Sequence, residues 1–184
     1  MVRPEGPGSV VAAVSGSPDS ERAVDWAAQW AWSVGRPLTL VHAADGIEVH
    51  PNTEEFLAAE RAATEKAKEF LDVAAQRVTS VHPELRVSVV VEIGDPPAVI
   101  LDHAQHAAAV VVGSRRDNTR RALLGSVNHA VARHAACPVI VVKEPPSEGA
   151  LGRRIVVGVD GTSHRARRPS SRSSTPPPPT CQWS

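Results

Sequence analysis

Residues 110–142 read VVVGSRRDNTRRALLGSVNHAVARHAACPVIVV, a short apolar run, a polar loop, an amphipathic segment and a second apolar run. Apolar runs of four to eight residues bounded by turn residues are typical of buried strands. We therefore predict strands over 109–112 and 138–143, joined by a loop and a helix from Ser126 to about Ala135. Such a unit places its two strands parallel in one sheet.

The same alternation extends back to the start of the chain. We predict further strands over 9–14, 37–43 and 85–93, and helices over about 18–34, 53–80 and 96–107. Apolar residues recur on one face of the first helix (Ala23, Ala27, Trp30, Val34) and of the second (Phe56, Ala63, Ala67, Phe70, Ala74, Val78). Continuously apolar strands indicate a sheet that is covered on both faces. The prediction is an α/β fold, a five-stranded parallel sheet in a Rossmann-like three-layer α/β/α sandwich, which binds ligands at the strands' carboxyl ends.

Composition narrows the class of protein. The chain has 184 residues, 42% hydrophobic and 3% aromatic, and a formal net charge of zero. A neutral chain has no overall attraction to nucleic acid or anionic membranes, and no window approaches the roughly 18 apolar residues of a membrane span. Cys137 and Cys181 match no disulfide or zinc spacing. Because the N-terminus also lacks a signal-peptide pattern, we expect a cytoplasmic protein with no specific nucleic-acid partner and no membrane association.

The composition changes after the predicted fifth strand. VVGVDGT at 156–162 repeats the pattern of VAAVSGS at 11–17, and Arg, Ser and Pro dominate the residues after this repeat. Pro- and Ser-rich segments cannot bury a core. We predict an N-terminal tail at 1–8, one domain at 9–143, a linker at 144–152, a fragment of a second repeat at 153–162 and a disordered tail at 163–184.

Two features at the predicted strand ends suggest an anion site. Gly113 ends the fourth strand, where a missing side chain lets the backbone approach a ligand. Gly125, Ser126 and Val127 open the next helix, whose free N–H groups and dipole favour an anion. A nucleotide phosphate suits this chemistry.

The chain resembles the universal stress protein family. The resemblance covers about 9–143 and rests on VSGSPDSERAVDWA, LTLVHA, GDPP and VVVGSR…LLGSV…HAACPVIVV, while IVVGVDGT matches the opening of a further, tandem-type domain. It implies a homodimer and, in one subclass, ATP bound without a strong turnover role. We therefore expect no conventional enzyme, no catalytic residues and no protein metal site, with ATP or another adenine nucleotide as partner and Mg²⁺ only as a companion of ATP.

The resemblance also assigns individual positions. ATP-binding members carry Gly, two residues, Gly, nine residues, then Gly-Ser or Gly-Thr. Gly113 fills the first place, Arg116 stands at the second, and the loop to Gly125 is one residue short. Ser15 stands where the family usually has Asp, which the late repeat keeps as Asp160. The expected nucleotide-binding residues are Ser15, Ala43 on the adenine side, Gly113, Ser114, Arg115, Arg116, Gly125, Ser126 and Val127.

Two alternatives remain open from the sequence. Arg116 and the short loop favour a nucleotide-free stress protein that acts through dimerisation. SGSPDS also resembles the pyrophosphate loop of ATP pyrophosphatases, which would make the protein an adenylating enzyme. The histidines at 103, 106, 129 and 134 are expected at the surface or near helix caps. His42 either borders the cleft or packs, and Cys137 is expected to be a buried structural thiol.

Overall fold

A computed structural model describes residues 8–44, 53–114 and 126–143. The chain divides into two units, Met1–Pro145 and Pro146–Ser184, and all described residues lie in the first. The predicted linker, repeat fragment and tail, and the site residues Arg115, Arg116 and Gly125, lie outside the described residues.

Within these described ranges, nine elements follow in the predicted order. They are β1 (Val10–Ala13), α1 (Pro18–Ser33), β2 (Leu38–Ala44), α2 (Glu54–Val81), β3 (Val87–Ile93), α3 (Pro96–Ala104), β4 (Ala109–Gly113), α4 (Ser126–His134) and β5 (Val139–Val142). The largest difference from the prediction is the end of α3. Its chain tightens there into i→i+3 bonds, such as Ala107 N–H to the Ala104 carbonyl, so the α-helix stops three residues early.

The five strands form one parallel sheet in the order β3-β2-β1-β4-β5. The predicted fold class is confirmed. The chain runs outward from β1 in one direction to β3, then returns to place β4 on the other side of β1. The order therefore reverses between β1 and β4, and ligands of such sheets bind beside this switch point.

Two apolar clusters hold the layers together. Val10 and Ala12 of β1 face α1 and α2, whereas Val11 faces α3 and α4, because successive side chains of a strand alternate between faces. All three side chains are fully buried. The edge strands β3 and β5 are only half-buried, so the expectation that every strand is covered on both faces is wrong at the edges.

The predicted helical faces need correction. Val34 is 45% exposed because α1 ends before it, while Val24, Ala28 and Ala31 are buried instead. On α2, Leu71 is fully buried although the predicted stripe omitted it, and Phe56 is only half-buried. Within the described ranges, no helix is long and apolar enough to cross a membrane.

Candidate functional site

A cleft of about 910 Å³ opens at the carboxyl end of the sheet, beside the switch point. The ends of β1, β2 and β4 form its floor. The first turns of α1, α3 and α4 and one face of α2 form its walls. This volume lies within the roughly 300–1,000 Å³ of small-molecule sites. The cleft is therefore large enough for a nucleotide.

The edge of β2 is open towards this cleft. Ladder bonding between β1 and β2 stops where Val14 N–H donates to the Val41 carbonyl at 2.8 Å. Alternate residues of a parallel strand direct their backbone N–H and C=O groups towards the same neighbouring strand. Ala43 therefore faces the same side as Val41, where β1 has diverged from β2. The next ladder bond would join Ala43 N–H to the Val14 carbonyl, but His42 Nδ1 donates to that oxygen instead, at 2.8 Å. Among the described residues, nothing bonds to Ala43 N–H or C=O.

His42 is held in place on its other side. Its ring meets Phe70 of α2 edge to face, with centroids 4.9 Å apart. Because a carbonyl only accepts hydrogen bonds, the contact with Val14 requires the proton on Nδ1. His42 therefore both borders the cleft and packs, which combines the two roles considered from the sequence.

Packing leaves no room for a side chain at position 113. A Cβ atom there would lie 2.5 Å from both the carbonyl carbon and the oxygen of Asp19, and 2.8 Å from Ser20 N. The backbone of α1 thus crosses directly over the end of β4. Gly113 borders the cleft, and its predicted approach to a ligand stays a prediction.

Of the three helices that begin at the cleft, two have capped starts. Ser17 Oγ accepts from Ser20 N–H at the start of α1, and Asp95 Oδ2 accepts from Ala98 N–H at the start of α3. Pro18 opens α1, and Pro96 and Pro97 open α3, so those positions have no N–H to offer.

The start of α4 differs from both. No described residue accepts a hydrogen bond from the N–H of Ser126 or Val127, and neither position is a proline. The first N–H groups of a helix have no partner within the helix, and the helix dipole adds partial positive charge there. Among the described elements, α4 therefore offers the best anion site in the cleft.

Three charged side chains among the described residues line the cleft: Asp19, Lys66 and Asp95. Asp19 pairs with Arg22, and Asp95 caps α3, so both carboxylates have partners. Lys66 of α2 also lines the cleft, and it makes no ion pair with any described residue. Of the groups that the structure describes, an incoming anion would meet Lys66 at the α2 wall and the first N–H groups of α4.

Six of the predicted site residues line this one cleft: Ser15, Ala43, Gly113, Ser114, Ser126 and Val127. Ser15 is exposed, and its hydroxyl lies 3.0 Å from that of Ser17. The sequence reasoning missed Lys66 and Asn128, which also line the cleft. Lys66 lies one turn before Phe70 on the α2 face towards the cleft. This four-residue spacing could have predicted its position from the sequence.

His103 was expected at the surface or near a helix cap, and the structure bears out the second of these. It lies in the last turn of α3, is only 6% exposed, and its Nε2 lies 3.0 Å from Glu92 Oε1 on β3. Its neighbours Val99, Ile100 and Ala104 belong to the apolar cluster beneath α3. His106, His129 and His134 are exposed as expected. In the part of the chain that the structure describes, no three His, Cys, Asp or Glu residues could hold a metal ion.

Known proteins share both sequence and fold with this chain. The model of the universal stress protein family matches residues 8–143. A universal stress protein of Mycobacterium tuberculosis (strain ATCC 25618 / H37Rv) is 32% identical over 180 residues. That match covers 88% of this chain and 57% of the relative, so the chain spans little more than half the length of that curated relative.

Two solved structures of a universal stress protein from Archaeoglobus fulgidus resemble the fold. One is 28% identical with a TM-score of 0.57, covering 73% of this chain and 97% of the other. The second, in complex with dAMP, is 27% identical with a TM-score of 0.52, covering 73% and 96%. Since the family model matches well over half of its residues, this chain belongs to the universal stress protein family.

Proposed function

We propose that this protein binds ATP or another adenine nucleotide in the cleft beside the switch point, as part of a stress response. The observation that carries the proposal is the pairing of two open backbone features in one cleft. These are the edge of β2 at Ala43 and the start of α4 at Ser126 and Val127, neither of which has a hydrogen-bond partner among the described residues.

Ala43 would recognise the base. Its N–H and C=O both face the gap that β1 leaves, which offers one donor and one acceptor side by side. Adenine carries an amino donor next to ring-nitrogen acceptors, so its edge complements such a strand edge. The small Ala43 side chain leaves the floor of the cleft open to a planar base.

The phosphate would bind at α4. The N–H groups of Ser126 and Val127 and the Ser126 hydroxyl would donate to its oxygens, and Gly125 would belong to the same turn. The capped starts of α1 and α3, with Asp95 at one of them, are poor places for a second anion. The Archaeoglobus fulgidus relative in complex with dAMP supports an adenine nucleotide as the ligand class.

Ser15 would stand in for the usual Asp near the nucleoside, and Ser114, Arg115 and Arg116 would add phosphate contacts, with Mg²⁺ entering only with ATP. We also propose a cytoplasmic homodimer without catalytic activity, in which the half-buried apolar edge strand β5 pairs with a second copy. The fragment of a second repeat at 153–162 stays a prediction from the internal repeat.

The nucleotide-free alternative remains the competing hypothesis, because Arg116 and Ser15 depart from the ATP-binding pattern. The adenylating-enzyme alternative has less support. Its pyrophosphate loop would need a free helix start after β1, and Ser17 already caps that start with Pro18 behind it.

Isothermal titration with AMP, cyclic AMP, ADP and ATP tests the proposal. We expect saturable heat for at least one nucleotide and a weaker response in Ser126→Ala, which removes the hydroxyl but keeps the helix. Flat traces for all four nucleotides up to about 1 mM would mean that any binding free energy is weaker than roughly −4 kcal/mol. That result would favour the nucleotide-free alternative.

A further inference from the structure

Asn128 is the third residue of α4 and a buried polar side chain, only 6% exposed. Its Nδ2 donates to the carbonyl oxygen of Gly113 at 2.8 Å. The bond joins the first turn of α4 to the last residue of β4. A buried amide in this position stabilises the fold only because it finds such a partner.

The Gly113 carbonyl needs this partner because β1 has already left the sheet. The ladder between β1 and β4 ends at the pair Ala12 and Val111, whereas β4 and β5 stay paired to Gly113 and Val142. On the β5 side, Ser114 N–H still donates to the Val142 carbonyl at 2.8 Å. On the β1 side, the Asn128 side chain takes the place of the missing strand.

This bond fixes the start of α4 relative to the sheet. Ser126 and Val127, whose N–H groups face no described acceptor, precede Asn128 directly in the same turn. A charge-assisted hydrogen bond weakens steeply when donor and acceptor are displaced or misaligned. The position of the Asn128 amide therefore controls how well these N–H groups can meet an anion.

We propose that Asn128 is a positioning residue that sets the preference of the cleft for a phosphorylated nucleoside over an unphosphorylated one. The inference rests on the proposed nucleotide binding and adds its specificity. Asn128 acts on the phosphate end alone, because the base end is formed by Ala43 on β2, which Asn128 does not bond.

Titration of AMP and adenosine against Asn128 variants tests this. Asn128→Asp keeps the shape, loses the donor and places a negative charge beside the phosphate. Asn128→Ala removes the buried amide together with its bond to Gly113, but adds no charge. We expect AMP to bind roughly 10- to 100-fold more weakly to Asn128→Asp, which corresponds to the ~1.5–3 kcal/mol of a hydrogen bond to a charged group. Asn128→Ala places no charge beside the phosphate and should weaken AMP binding only several-fold. Adenosine affinity should stay within about twofold in both variants.

Gln29→Glu is the matched control, since it adds the same charge at an exposed position of α1 that does not line the cleft. It should leave both affinities unchanged. Equal losses for AMP and adenosine, or no loss for AMP, would overturn the positioning role while leaving nucleotide binding intact. A wild-type protein that binds neither ligand would overturn the proposed function, and this inference with it. If Asn128→Asp does not fold, the AMP and adenosine affinities of Asn128→Ala alone test the positioning role.

Discussion

The Cα of Gly113 lies so close to Asp19 that an added Cβ would sit 2.5 Å from the Asp19 carbonyl oxygen. This contact is backbone against backbone, between the end of β4 and the first turn of α1. It closes one side of the cleft and leaves the crevice beside it for a ligand. Gly113 is thus required by the fold before any ligand binds.

Gly113→Ala should therefore destabilise the protein. No flexible side chain can move aside, so the backbone of α1 must shift, and we expect a loss of ~1–3 kcal/mol in the free energy of unfolding. Urea denaturation followed by circular dichroism measures this. Gly35→Asn is the control. Its φ of 64° is one that asparagine tolerates, and nothing lies within 4 Å of the added carbon. Equal stability of Gly113→Ala and wild type would contradict the packing argument.

Two proline substitutions test the open edge of β2. Ala43→Pro removes an N–H that no described residue uses, so the sheet should survive while adenosine and AMP binding falls about tenfold or more. Ala44 faces β3, where its carbonyl accepts from Gly94 N–H at 3.0 Å.

Ala44→Pro should remove a ladder donor on the β3 side and lower the thermal midpoint clearly more than Ala43→Pro does. Thermal melts and nucleotide titrations of both variants provide the comparison. The assignment of the two faces of β2 would be wrong if Ala43→Pro were the less stable variant, or if it bound AMP like the wild type.

The contact between buried His103 and the partly exposed Glu92 should matter for stability. Glu92→Ala leaves the His103 ring nitrogen without its partner, which costs ~1–3 kcal/mol for a buried polar group. Glu92→Gln retains an acceptor and should recover most of that loss. Glu69→Ala, at an exposed position of α2, should change stability by less than ~0.5 kcal/mol. Equal effects of Glu92→Ala and Glu69→Ala in urea denaturation would refute the pairing.

Cys137 should react slowly with alkylating reagents. Its side chain is half-buried, so the predicted buried thiol is only partly confirmed. This partial burial raises the pKa of the thiol above the ordinary value of 9.0, so less thiolate is present at neutral pH than in a free cysteine. In a Cys181→Ser background, iodoacetamide at pH 7.5 should modify the native protein roughly tenfold or more slowly than the urea-unfolded protein. Similar rates in the two states would mean that the thiol is accessible.

The raised pKa of the Cys137 thiol also makes the stability of the protein depend on pH. The folded state holds the Cys137 proton more tightly, so its contribution is complete below about pH 9 and decreases as the pH rises through the folded-state pKa. The contribution of the thiol is isolated by comparing the unfolding free energies of wild type and Cys137→Ala between pH 8 and 10. This range extends roughly one unit on either side of an ordinary thiol pKa.

The fold was predictable because strands such as Val10–Ala13 are short apolar runs between turn residues, and the helices carry Ser17, Thr53 and Asp95 at their starts. The burial of His103 was not predictable from the sequence, because its partner Glu92 lies on another element. Only the sheet register and the packing of α3 bring the two residues together. Asn128 was missed for a related reason: its role depends on where the β1 ladder ends.

An amide NMR titration of the ¹⁵N-labelled protein with AMP is the most direct test of a nucleotide bound between β2 and α4. We expect the amide signals of Ala43, Ser126 and Val127 to shift saturably, while those of Ser20 and Ala98 at the capped starts of α1 and α3 shift much less. Adenosine should move Ala43 but leave Ser126 and Val127 nearly unchanged. Shifts confined to Ser20 and Ala98, or no shifts at saturating AMP, would contradict nucleotide binding at α4.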